Sequence, residues 1–268
     1  ATRERVALFD QTSFAKFMLV GRDAEAALSW IAANDVAKAP GALTYTQMLN
    51  VRGGIECDLT VARLADDNFY IVTGTGFGTH DFDWIRRNIP AGLDARLVDV
   101  SGQYSVLALM GPRARDTLST VTTDDMSNAA FPFAQCRRIA VAGVEVIALR
   151  VTYVGELGWE LHVPVDSAPK VYDSLMKAGR AHGIANAGYR AIETLRLEKG
   201  YRAWGADIGP DHSPLMAGLG WAVKLKRNIP FLGREALEKQ KKNRLPRLLA
   251  CFTVDDPAIV LLGRETIF

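Results

Sequence analysis

The sequence predicts an α+β fold, and three observations carry that expectation. It has two hairpins of alternating strands, amphipathic helices set between strands, and no regular strand–helix–strand series of the kind a doubly wound parallel sheet needs. Residues 6–9 and 16–20 alternate as short strands do, and residues 23–34 carry Ala24, Ala27, Leu28 and Ile31 at helical spacing. Residues 44–50 and 56–64 read as a hairpin joined by Arg52-Gly53-Gly54, since glycine supplies positive φ without a Cβ clash. A strand over 69–73, an amphipathic helix over 81–88, and strands over 95–99 and 106–110 follow. Pro112 opens a helix reaching Leu118, because its fixed φ and missing N–H suit a first helical turn. Residues 139–141 and 145–150 form the second hairpin, around Gly143, and 159–163 is a further strand. Helices are expected over 168–181 and 189–199, the latter turning Ile192, Leu195 and Leu197 toward a core. Residues 200–214, rich in Gly, Pro and Asp, read as a functional loop. A helix over 231–242 ends in the basic run Lys239-Gln240-Lys241-Lys242, and a strand over 248–254 begins what reads as a separate module.

Composition narrows the class without naming a chemistry. Among 268 residues, 32 Lys and Arg stand against 30 Asp and Glu, a formal net charge of +2, and 49% of the residues are hydrophobic. Disordered chains are poor in apolar residues and usually carry a large net charge, so this one is expected to fold around a large core. The basic residues are scattered among acids rather than gathered in a stripe, which argues against a nucleic-acid surface. The longest uncharged apolar stretch, near 107–112, is far short of the roughly 18 residues a spanning helix needs, so no membrane partner is expected. Cys57, Cys136 and Cys251 are odd in number and widely spaced, which suits a reducing compartment better than a disulfide framework or metal knuckle.

One stretch imitates a dinucleotide site. Gly74-Thr75-Gly76-Phe77-Gly78 follows a strand, opens a helix, and has Asp99 on a later strand. The motif needs its third glycine at position 79, which is Thr79, and antiparallel hairpins precede the unit. A plain strand-to-helix turn is the better reading, and a nucleotide-binding oxidoreductase is the less favoured one. His212 and Asp207 lack further ligands, so no metal site is expected. The serines have neither a His/Asp arrangement nor a Gly-x-Ser-x-Gly elbow, which disfavours a hydrolase.

Three stretches in order are more specific. They are Tyr45-Thr46-Gln47-Met48-Leu49-Asn50 running into Gly53-Gly54-Ile55-Glu56-Cys57-Asp58-Leu59-Thr60-Val61; Tyr153-Val154-Gly155-Glu156-Leu157-Gly158-Trp159-Glu160-Leu161; and Leu195-Arg196-Leu197-Glu198-Lys199-Gly200-Tyr201-Arg202-Ala203-Trp204-Gly205. With these the chain resembles the aminomethyltransferase (glycine cleavage T-protein) family, above all the folate-binding C-terminal half of dimethylglycine and sarcosine dehydrogenases. The resemblance runs from Val6 through Leu237 and implies a tetrahydrofolate-binding body of mixed sheets and helices around a central hole, over 1–245. A C-terminal β-barrel would begin at 246–268. It also implies transfer of an amine-bound one-carbon unit to tetrahydrofolate, giving 5,10-methylenetetrahydrofolate. FAD would belong to a missing N-terminal domain or a partner, since no GxGxxG follows the first strand. The expected partners are thus folate, an amine-bound one-carbon donor, and a flavin domain or carrier protein. The expected compartment is the bacterial cytoplasm or the mitochondrial matrix, not secretion. An opening Ala1 and a stop where the barrel only begins read as a piece of a longer enzyme.

The resemblance assigns roles to particular residues. Asp58 matches the family's catalytic aspartate; read from the strand alone, it is a solvent-facing acid in line with Glu56 and Thr60. Glu160 matches the pterin-binding glutamate, one carboxylate accepting two adjacent N–H donors, while Glu156 reads as a turn residue. Tyr153 either borders the pterin ring or is a half-buried strand tyrosine. Tyr70, 12 residues after Asp58, matches a folate-contacting tyrosine and Val72 a backbone contact, core packing being the other reading of Val72. The family's arginine for the folate tail falls on Ile192 here. Arg190 stands nearby as a substitute or as an ordinary surface arginine, and Arg196 lies one turn later. The 200–214 loop, with Trp204, Asp207 and His212 in it and Trp221 after it, is expected to line the central hole. A non-catalytic regulatory or assembly protein of the same fold is the main alternative. The iron–sulfur-assembly type is disfavoured, because Lys199-Gly200-Tyr201 lacks its cysteine.

Overall fold

The structure, a computed structural model, describes residues 1–227, 229–261 and 266. It contains β1 (Val6–Asp10), β2 (Ala15–Val20), α1 (Ala24–Ile31), β3 (Leu43–Leu49), β4 (Ile55–Ala65), β5 (Asn68–Thr73), α2 (Gly78–Asn88), β6 (Arg96–Asp99), β7 (Tyr104–Met110) and α3 (Ala114–Ser119). There follow β8 (Cys136–Val141), β9 (Val144–Leu149), β10 (Gly158–Pro164), α4 (Ala168–Ala178), β11 (Ile184–Ala187), α5 (Tyr189–Glu198) and α6 (Arg234–Lys242). A six-stranded sheet runs β11-β1-β7-β10-β9-β8 and a five-stranded sheet runs β3-β4-β5-β2-β6. Every pairing is antiparallel except β1 with β11. Mixed helices with largely antiparallel sheets are the α+β class that the hairpins foretold.

Strand alternation decides which side chains meet. On β10, Trp159, Leu161 and Val163 enter a cluster with Leu118 of α3 and Val171 and Leu175 of α4. On β4, Cys57, Leu59 and Val61 enter a second cluster with Leu28 and Ile31 of α1 and Ile85 of α2. The opposite faces of the two sheets meet in a third cluster, where Leu43, Ala62, Tyr70 and Val72 press on Ile147 and Leu149. The register pairs Gln47 with Asp58, and Thr60 with both Tyr45 and Val72, so these side chains share that inner face. Because successive side chains alternate, Glu160 and His162 of β10 lie on the inner face of the other sheet. A strand sealed on both faces explains why β10 is buried from Gly158 to Val163.

Four expectations change. β11 is an added strand: Ile184-Ala185-Asn186-Ala187 is short and weak in β-branched residues, and it forms because β1 offers a parallel edge. On α5, Ile192 is buried and Leu195 partly so, but Leu197 is exposed, since the helix lays only one stripe on the sheet. Asp58 faces Gln47 on the inner side instead of open solvent, while Glu56 stands by His80 of α2. The strand expected over 248–254 forms no ladder among the described residues; Leu248, Phe252 and Val254 are exposed, and a strand requires a paired neighbour. The rest of the barrel expected over 246–268 falls partly on residues outside those described.

The β3–β4 turn fixes the start of the strand carrying Asp58. The Asn50 carboxamide oxygen accepts from the N–H groups of Arg52 (2.9 Å) and Gly54 (3.0 Å), and Gly53 adopts φ +82°. A Cβ on Gly54 would stand 1.8 Å from the Pro210 carbonyl oxygen, so only glycine lets the 200–214 loop cross here. Gly54→Ala is expected to destabilise by roughly 1–3 kcal/mol in urea melts. Gly76→Ala, where a Cβ meets nothing within 4 Å, should stay within about 0.5 kcal/mol of the parent. Equal losses at the two glycines would contradict this account.

Candidate functional site

Asp58 projects from β4 into the seam between the sheets. Gln47, opposite it on β3 and fully buried, donates its Nε2–H to Asp58 Oδ1 at 2.8 Å. Burial pushes the carboxyl up to about 6; hydrogen bonds from Gln47 and Tyr45 oppose the rise, and the charge of Asp81 adds to it. Asp81 belongs to α2 and lies behind the strand, 2% exposed. It accepts from the Thr73 hydroxyl at 2.6 Å and sits 2.9 Å from His80 Nδ1. Cys57, His80 and Asp81 bring ligand-type atoms within 4.8 Å of one another, a grouping that the sequence spacing did not foretell.

Glu160 occupies the facing sheet, 7% exposed. Its neighbour on the same face, His162, is fully buried, with Nδ1 2.9 Å from the Tyr70 hydroxyl and Nε2 3.8 Å from Glu160 Oε2. Tyr70 thus bridges from β5 to β10, and its ring meets those of His162 and Tyr104 edge-on. Burial foremost, then the charges of Tyr104 and Glu160, raises the Tyr70 hydroxyl far above the ordinary tyrosine range. Val72 is buried in the inter-sheet cluster, the packing position that was its other reading.

Tyr153 is half-buried. Its hydroxyl donates to the Arg202 carbonyl at 2.6 Å, and its ring stacks on Tyr201 at 6.2 Å and 21°. The charge of Asp58 contributes to raising the Tyr153 hydroxyl, after burial, which brings Tyr153 within electrostatic range of Asp58. Arg190 is exposed on the first turn of α5 and stands apart from this group. Ile192 packs with Phe9, Met110 and Val154, while Arg196 is committed to Glu193, Asp207 and the Tyr201 carbonyl. Glu156 forms an ion pair with Arg3 at 3.0 Å, in keeping with a turn role. Trp204 donates its indole N–H to the Ile55 carbonyl at 2.8 Å and packs on Phe77, so the 200–214 loop is pinned over the hairpin. Trp221, 68% exposed, lies 5.7 Å from the Tyr45 ring at 29°. A groove of about 930 Å³ runs along α2 past Glu56, His80 and Trp84 but touches neither Asp58 nor Glu160. The glycine-rich turn is a strand-to-helix connection in which Gly74 precedes a short 3₁₀ turn, as the missing glycine implied.

The geometry gathers Asp58, Tyr70, Val72 and Glu160 on two facing inner surfaces, and it adds Gln47, Tyr45 and His162, which sequence reasoning passed over. The signal for Gln47 was a carboxamide directly before Met48-Leu49 in a strand that carries no charged residue from Leu43 to Leu49. For His162 it was a second polar residue two places after Glu160 in a strand of Trp, Leu and Val.

Residues 1–227 match the family described as the GCVT N-terminal domain. The chain belongs to that family. It is 44% identical to the mitochondrial sarcosine dehydrogenase of Homo sapiens over 282 residues, covering 100% of this chain and 31% of that protein. It is 36% identical to the mitochondrial dimethylglycine dehydrogenase of Homo sapiens over 266 residues, covering 99% of this chain and 31% of that one. The crystal structure of the glycine cleavage system aminomethyltransferase T from Bartonella henselae superposes with a TM-score of 0.78 at 29% identity, over 90% of this chain and 64% of that one. The chain therefore spans about a third of the length of these two dehydrogenases. Among the described residues no helix is long and apolar enough to cross a membrane.

The raised Asp58 carboxyl makes a stability prediction. Between the unfolded value of 3.8 and the folded value of about 6, the native state keeps a proton that the unfolded chain has lost. Native stability therefore falls as pH rises through that window, and the full burden of the buried charge is felt above it. After a discount for partial exposure, Asp58→Asn should stabilise by roughly 1–2 kcal/mol at about pH 7, a gain that vanishes below about pH 4. Urea denaturation across this range checks it; a pH-independent difference would remove the argument.

Proposed function

We propose that this chain carries out tetrahydrofolate-dependent one-carbon transfer, taking a methylene carbon from an amine-derived iminium and giving 5,10-methylenetetrahydrofolate. The observation that carries the reading is Asp58, a carboxyl on the inner sheet face raised to about 6 by burial and oriented by Gln47. A group whose pKa lies near the working pH exchanges protons in both directions. In the balanced reaction, folate nitrogens N5 and N10 form two bonds to the carbon and lose two protons, both bonds of the iminium carbon–nitrogen double bond break, and the departing amine leaves with both protons. Asp58 accepts a proton from a folate N–H and returns it to the amine.

Glu160 supplies the acceptor for the adjacent N–H donors of a pterin, and a carboxylate accepting two such bonds fixes a ring in plane as well as position. Tyr153 has its hydroxyl committed to Arg202, which leaves its ring face for contact with the ligand. Tyr70 and Val72 close the seam beneath. Arg190 is solvent-accessible and suits the acidic folate tail, the role that the buried Ile192 does not fill. FAD belongs to this scheme only in a further domain or partner that oxidises the amine to the iminium. The mitochondrial matrix or the bacterial cytoplasm is the corresponding compartment.

A non-catalytic protein of this fold is the second reading. The observation against it is the same carboxyl: a purely structural role has no use for an acid that burial pushes up to about 6, and an amide would fit the Gln47 partnership at lower cost.

In the full-length protein, Asp58→Asn is expected to retain tetrahydrofolate binding and to lose methylenetetrahydrofolate formation by about 10²–10³-fold. Glu160→Gln should weaken binding by about tenfold with a smaller effect on turnover. Calorimetric titration and a product assay separate the two. Absence of tetrahydrofolate binding by the parent protein, or full turnover in Asp58→Asn, would overturn the reading.

A further inference from the structure

His162 is a fully buried imidazole in a strand where an aliphatic side chain would pack without any hydrogen-bond requirement. One of its nitrogens is satisfied: Nδ1 lies 2.9 Å from the Tyr70 hydroxyl, which reaches across from the other sheet. Its second nitrogen, Nε2, has no hydrogen-bond partner and faces Glu160 Oε2 at 3.8 Å. An orphaned polar atom in a sealed strand is costly, and it is tolerated where something else depends on it.

The protonation pattern follows from the surroundings. Burial holds His162 below the ordinary histidine range, the Glu160 carboxylate pulls it the other way, and the charge of Lys16 adds to the depression, so the ring is neutral and carries one N–H. Lys16 is itself fully buried, its Nζ donating to the carbonyls of Thr12 and Tyr104. Nε2 faces a carboxylate, which only accepts, so Nδ1 is the bare nitrogen and the Tyr70 hydroxyl, which keeps its proton, donates to it. The single imidazole proton therefore resides on Nε2 and points at Glu160. A carboxylate shift of about 1 Å brings the pair to hydrogen-bonding distance.

We propose that His162 is a positioning residue for Glu160, its Nε2–H holding one carboxylate oxygen while Tyr70 locks the imidazole from the opposite sheet, so that the other oxygen is presented to the N–H edge of a pterin. This rests on the folate reading of Glu160 given above. It extends that reading by making the ligand anchor a three-residue chain, Tyr70–His162–Glu160, that spans both sheets.

The test is a double-mutant cycle in the full-length protein, read as the dissociation constant for tetrahydrofolate, with thermal unfolding run on every variant. His162→Phe is expected to weaken binding about tenfold in the parent background and less than about twofold when Glu160 is already Gln. His162→Gln, whose amide N–H occupies the place of Nε2–H, should restore most of the affinity. His162→Asn keeps a polar group for Tyr70 but is too short to reach Glu160, so it should behave as Phe does; it carries the test where His162→Phe does not fold. Losses that add in full with Glu160→Gln, or no rescue by Gln relative to Asn, would overturn the assignment while leaving folate binding intact. A parent protein that fails to bind tetrahydrofolate would overturn the folate reading and this assignment with it.

Discussion

The seam between the two sheets governs what every other part of the molecule can do. Helices cover the outer faces, α1 and α2 on one sheet and α3 and α4 on the other, so the inner faces meet away from bulk water. Apolar contact between Leu43, Ala62 and Val72 on one side and Ile147 and Leu149 on the other holds the seam closed along part of its length. A polar side chain that enters this space must bring its partner with it. Asp58 brings Gln47 from the adjacent strand, and Tyr70 meets His162 across the gap. The second of these is a tie between sheets, so sliding one sheet over the other would break a buried hydrogen bond as well as apolar contacts.

The same enclosure gives the inner-face acids their character. Burial raises Asp58, and the charge of Asp81 behind the strand adds to the rise, while Gln47 and Tyr45 restrain it. The outcome is a group whose proton is loosely held near neutrality, fixed in direction by a partner across the strand pair. Glu160 lies on the opposite sheet, beside a neutral imidazole instead of a second acid or a cation. Two carboxylates with unlike neighbours suit the unlike tasks proposed for them, proton exchange for Asp58 and hydrogen-bond acceptance for Glu160. This division is set by which residue each strand presents two places along or directly opposite, which is a matter of register.

Elements whose signal is local were legible in the sequence. The alternation in β4, the Arg52-Gly53-Gly54 turn and the helical spacing of Ala24, Leu28 and Ile31 need no tertiary information, and each lies where it was expected. β11 was not legible, because Ile184-Ala185-Asn186-Ala187 becomes a strand only through the edge that β1 offers. Asp58 of β4 looked solvent-facing for a related reason. Alternation reports two faces but not that both are covered, and only the second sheet turns the polar face into an interior one. Asp58 and Glu160 were found through family motifs. Their partners were not: Gln47 is set by cross-strand register, and His162 by the meeting of two sheets 92 residues apart along the chain from Tyr70.

Packing alone would not select these polar residues. Asp58→Asn would keep the shape of the side chain and relieve the burial of charge, and an aliphatic residue in place of His162 would remove an unpartnered ring nitrogen. Neither relief is taken. Elsewhere on the same strands the residues do what a stable sheet asks of them: Leu59 and Val61 beside Asp58, Leu161 and Val163 beside His162, all buried and apolar. On the inner face the departures from the packing rule come in partnered sets, Asp58 with Gln47 and Tyr70 with His162 beside Glu160. Polar groups kept on an inner face at a cost in stability fit the proposed proton exchange and ligand capture, a use that offsets the cost.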